Sequence, residues 1–80
     1  MPDTTAYEML REKRIAQIAK DLQEIEAELK SKPPSEYYKL GWLPHNVQYE
    51  IKLYNSKAQE EQFNKLIETY KLDKSYFNLN

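Results

Sequence analysis

The sequence predicts an all-α protein: an antiparallel helical hairpin of two long helices, about 5–31 and 46–72, joined by an aromatic, proline-containing hinge with a short helical turn. Three observations carry this. Residues 6–32 contain no proline or glycine and are rich in strong helix formers. Ile15, Ile18, Leu22, Ile25 and Leu29 recur at 3-4-3-4 spacing, which lays one apolar stripe along a helix. Three of the four prolines and the only glycine fall between residues 32 and 46, so the chain-breaking residues are concentrated in one place.

The first helix opens on a capping box. The Thr5 hydroxyl can accept from the Glu8 amide while the Glu8 carboxylate returns to the Thr5 amide. Lys30 and Lys32 suit the negative C-terminal end, and Pro33 stops the helix because the residue before a proline avoids the α region. Taken as heptads, Ile15, Leu22 and Leu29 are a positions, with Ile18 and Ile25 at d. A parallel homodimer would then set Asp21 of one copy against Glu26 of the other, and the seam runs upstream into Glu8 and Arg11. The stripe therefore reads first as a core-facing surface and second as a self-association seam.

The hinge, residues 32–45, holds Tyr37, Tyr38, Trp42 and His45. Ser35 can cap a short turn through Lys39, Gly41 can close it with a left-handed backbone, and Pro44 leads into the second helix. The rings are expected to fold over the open end of the hairpin with Leu40. Trp42 should be mostly buried, and at least one of Tyr37 and Tyr38 should face out, because neighbours in a short turn cannot both point at one core. Tyr37, Tyr38, Trp42 and His45 are also the candidate partner-binding residues, since Trp and Tyr dominate binding hot spots.

The second segment admits two readings. Val47, Tyr49, Ile51 and Leu53 alternate as in a strand, and Leu43-Pro44-His45-Asn46 fits a hairpin turn, giving an α+β alternative with a β-hairpin at 37–54. In the helical reading Asn46 is the N-cap and Val47, Ile51, Tyr54 and Ala58 form a stripe. The stripe then shifts round to Phe63, Leu66, Ile67 and Tyr70, which implies a break near Asn55-Ser56 or a change of packing partner. The helical reading is preferred because an isolated two-stranded hairpin is weak and no third strand is evident.

Eighty residues allow one small domain, divided as helix 5–31, hinge 32–45, helix 46–72 and tail 73–80. Cysteine is absent, no apolar run approaches the roughly 20 residues of a membrane span, and the N-terminus lacks the pattern of a signal peptide. The expectation is a small soluble cytoplasmic protein without membrane contact. Mean hydropathy is −0.93, so the few apolar residues must be well placed. Twelve basic side chains face thirteen acidic ones, a balance that gives no large field to steer nucleic acid.

No motif for catalysis, metal or cofactor binding is present. His45 is the sole histidine, so zinc would lack its usual donors. A single glycine excludes a Gly-rich phosphate loop, and the serines have no histidine at a suggestive spacing. Residues 60–70, EEQFNKLIETY, resemble at Leu66, Ile67 and Tyr70 the second-helix signature of small sporulation aspartyl-phosphate phosphatases, with Phe63 in place of a leucine. Glu60, Glu61 and Asn64 stand where that signature has Ser, Gln and Asp, so the resemblance implies no activity.

The function these readings predict is non-catalytic: a protein-binding module, adaptor or inhibitor of a larger protein. Its make-up is shared with many phage and mobile-element accessory proteins. The alternatives are a nucleic-acid or nucleotide binder that stacks tyrosines on bases and contacts phosphate with Lys and Arg, and a structural homo-oligomer.

Overall fold

A computed structural model describes residues 2–80, with side chains from Ala6 onward. Three α-helices and one 3₁₀ turn form it, with no strand among the described residues, so the all-α class is found and the β-hairpin at 37–54 is not. Helix α1, Pro2–Ser31, starts on a proline, whose missing N–H is no loss in a first turn. The backbone at Thr5 is thus already helical, and the Thr5 side chain expected to cap it lies outside the described residues. At the other end the Lys32 amide still reaches the Glu28 carbonyl at 3.0 Å before Pro33 turns extended.

The 3₁₀ turn spans Pro34–Leu40 and closes at Gly41. The positive φ of 62° is found there, but ψ is −132°, an extended mirror-image conformation in place of the expected left-handed helical one. Glycine alone enters that region freely. Helix α2, Leu43–Leu53, begins three residues before the expected cap at Asn46. Asn46 sits inside it, its amide bonded to the Trp42 carbonyl at 2.9 Å, and Pro44 occupies the first turn.

The predicted helix 46–72 is two helices. Asn55 takes a left-handed φ of 53°, and the Ser56 amide bonds back to the Ile51 carbonyl at 3.1 Å. Helix α3, Lys57–Tyr70, ends on the same device: Lys71 has φ 53°, and the Leu72 amide bonds the Ile67 carbonyl at 3.1 Å. Both ends satisfy free carbonyls in the manner of a Schellman closure. Asparagine tolerates this conformation better than most residues, which is why the break falls there.

Because of that break, α3 doubles back along α2 and the hairpin becomes a three-helix bundle. Antiparallel pairing of α1 and α2 is seen in the Arg14–Glu50 ion pair and in Arg11, whose Nε donates to the Tyr54 carbonyl at 3.1 Å. Gln59 Nε2 donates to the Ile15 carbonyl at 2.9 Å, setting the start of α3 beside the middle of α1. The core takes Ile18, Leu22, Ile25 and Leu29 from α1, Val47 and Ile51 from α2, and Phe63, Leu66 and Ile67 from α3. Each such side chain contributes roughly 1.5–3 kcal/mol relative to exposure. Ile15 is half-buried.

Residues 73–80 are no loose tail. Leu72, Phe77 and Leu79 join the core, Asp73 Oδ1 accepts from the Ser75 and Tyr76 amides, and the Asn80 amide donates to Gln48 Oε1 at 3.0 Å. At the opposite end α1 outruns its partners. Thirty residues reach about 45 Å against about 16 Å for α2. Its early turns leave Tyr7, Met9 and Leu10 exposed. No helix among the described residues is long and apolar enough to cross a membrane.

Candidate protein-binding surface

The hinge and the tail meet at one end of the bundle, and their side chains alternate between core and solvent. Successive side chains of a 3₁₀ turn stand about 120° apart. Tyr37 is accordingly half-buried, its hydroxyl donating to the Leu29 carbonyl at 3.3 Å, while Tyr38 is 55% exposed. Leu40 enters the core. The reversal at Gly41 then carries Trp42 outward, where it is 65% exposed. This corrects the expectation of a buried Trp42: Phe77 and Leu79 of the tail join Leu40 in the core where the indole was expected.

His45 is half-buried and already committed. Its Nδ1 lies 3.0 Å from the Asn78 carbonyl, so that nitrogen carries the proton and donates. Its ring meets Trp42 edge-on at 5.7 Å. His45 thus holds the tail and props the indole; it is not an open contact group. The tail adds a ring that sequence reasoning missed. Tyr76 is 59% exposed and touches the buried Phe77 edge-on at 5.0 Å. The signal for it was the pair Phe77 and Leu79 after Asp73-Lys74-Ser75, an aspartate turn followed by residues that need burial.

Two clefts separate these rings. The first lies among Pro34, Tyr38 and Tyr76, with Lys71 and Asp73 beside it; the second lies among Gly41, Trp42 and Tyr76. Tyr76 and Phe77 line both and are their common wall. Their volumes, about 200 and 160 Å³, fall below the roughly 300–1,000 Å³ of small-molecule pockets and suit single side chains. Charge is sparse: Lys39 pairs with Glu36, Lys71 and Asp73 offset each other, and the second cleft has no charged residue.

Of the residues singled out from sequence, Tyr37, Tyr38, Trp42 and His45 do gather at this end, with two rings open and two engaged. Ile18, Leu22, Ile25 and Leu29 are turned wholly inward. Among the described residues no group of three or more His, Asp or Glu is placed to hold a metal ion. No protein-family model, curated protein or solved structure matches the chain.

Proposed function

We propose that this chain is a non-catalytic, cytoplasmic protein-binding module that acts as an adaptor on, or inhibitor of, a larger protein through Tyr38, Trp42 and Tyr76. The observation that carries the reading is the exposure of these three rings, each more than half open, around two clefts at one end of a well-packed bundle. Rings of this kind are the usual anchors of protein interfaces. Two features weigh against the alternatives. Nucleic-acid stacking needs several free cations beside the rings, and here Lys39 is paired with Glu36, the first cleft is lined by one cation, Lys71, together with the acidic Asp73, and the second cleft by none. Self-association through the α1 stripe needs side chains that the monomer core already uses.

Affinity capture from the native source tests this, using the wild type and a Tyr38→Ala/Trp42→Ala variant with matching circular dichroism. A protein retained by the wild type and lost by the variant is the expected result. Equal capture by both, or retention only of nucleic acid that weakens steeply with salt, would overturn it.

A further inference from the structure

We propose that the paired clefts read an uncharged, proline-rich segment in the polyproline II conformation. The inference rests on the protein-binding reading above and names the chemistry of the partner. Its first support is shape. Three aromatic ridges, Tyr38, Tyr76 and Trp42, bound two grooves that share one wall. A polyproline II helix has three residues per turn and needs grooves lined by aromatic rings to seat its proline rings.

The second support is hydrogen bonding. A polyproline helix has no internal hydrogen bonds, so its carbonyls require donors, and its prolines offer no N–H in return. The Tyr38 and Tyr76 hydroxyls and the Trp42 indole N–H are donors on exposed rings at this surface. Along the body of a helical partner the backbone carbonyls are already bonded within the helix, so these donors would find fewer main-chain acceptors there.

Charge and local precedent agree. The second cleft is uncharged and the two charges beside the first are opposite, which matches a segment without net charge. A proline ring already stands at this surface: Pro34, the first residue of the 3₁₀ turn, lines the first cleft with Tyr38 and Tyr76. The walls are held in place, since Asp73 Oδ1 accepts from the Tyr76 amide and His45 props Trp42. Ordering costs on binding are correspondingly small.

Trp42 is the only tryptophan and stands on the site, so its emission reports occupancy directly. The probes are decaproline and a set of uncharged P-x-x-P dodecapeptides, titrated into the full chain beside an amphipathic helical peptide of equal length. We expect a saturable blue shift with the proline peptides alone. Tyr76→Ala, which removes the shared wall, should weaken binding at least about tenfold, whereas Tyr49→Ala, outside both clefts, should leave it unchanged. No saturable shift with any proline peptide, or equal affinity of the Tyr76→Ala protein, would overturn the proposal. A shift with the helical peptide only, or one that follows protein concentration and so reports a second copy, would do the same. In those cases a captured protein still lost by the Tyr38→Ala/Trp42→Ala variant would keep the broader protein-binding reading intact.

Discussion

The interior of this bundle and its exposed surface, the rings of the hinge–tail end included, use different aromatic residues. Both phenylalanines are inside, Phe63 at 1% and Phe77 at 5% exposure. Tyr7, Tyr38, Trp42, Tyr49 and Tyr76 are all more than half exposed, and every one carries a polar atom. Tyr76 and Phe77 show the contrast within one dipeptide: adjacent and in edge contact, they point to opposite environments. A ring with a hydroxyl or indole N–H can stay hydrated at one edge and offer its apolar body to a partner. A phenylalanine has no such edge, and here both are spent on the core. The two regions should therefore respond to substitution in opposite ways, and stability measurements can break that expectation.

The largest difference should lie within the tail. Phe77→Ala is expected to cost about 3–5 kcal/mol, enough to unfold much of a domain this small. Tyr76→Ala and Trp42→Ala should each change stability by less than about 0.5 kcal/mol. Urea denaturation followed by far-ultraviolet circular dichroism measures all three. A severe loss for Trp42→Ala would place the indole in the core and remove it from the surface.

The second contrast lies along α1. Leu22 has no exposed surface, and Leu22→Ala should cost about 2–5 kcal/mol, whereas Gln23→Ala on the exposed face should cost less than about 0.5. Equal midpoints for these neighbours would refute the assignment of the α1 core face.

What could be read from the sequence follows the same division. The α1 stripe was legible because its burial is local and periodic, and the stop at Pro33 because proline acts on its immediate neighbour. The break at Asn55 left a trace as the sideways shift from Ile51 to Phe63. The strand-like run Val47, Tyr49, Ile51, Leu53 was ambiguous for a geometric reason. In the helix Val47 and Ile51, four apart, face the core, and the run looks alternate only because the exposed Tyr49 and Leu53 fall between and after them. The start of α2 at Leu43 was missed because Trp42 makes no side-chain capping bond, while Asn46 looked like a cap. Two of the three rings of the candidate site, Tyr38 and Trp42, were legible. The rest was not, because Tyr76 reaches the hinge only through contacts such as His45 to Asn78, thirty-three residues apart in sequence.

A buried polar atom should behave oppositely to the exposed ones. Gln59 donates through Nε2 to the Ile15 carbonyl, but its Oε1 is buried without a partner. An unsatisfied oxygen costs about 1–3 kcal/mol, so Gln59→Met, similar in length, should be neutral or stabilise by up to about 1 kcal/mol. A loss above about 1 kcal/mol by denaturant titration would show that the amide contributes more through its one bond than the orphaned oxygen costs.

The smallest effect should come from a surface charge at the end of α1, and its sign with pH is its useful feature. Lys32 Nζ lies 2.6 Å from a Glu28 carboxylate oxygen. The hydrogen bond to Glu28 holds the ammonium above its ordinary 10.5, helped by the charges of Glu28 and Glu36 and opposed by desolvation. A pKa raised by folding means that the charged form favours the folded state. That contribution is complete below 10.5 and disappears as the pH climbs through the higher folded value. Lys32→Gln should therefore melt slightly below the wild type at about pH 8, and the gap should close towards pH 11. Any effect of alkaline medium on the rest of the chain is common to both proteins and cancels in the difference. A gap that widens with rising pH would mean that Lys32 is better accommodated uncharged, and would break the pairing with Glu28 that accompanies the last turn of α1 before Pro33.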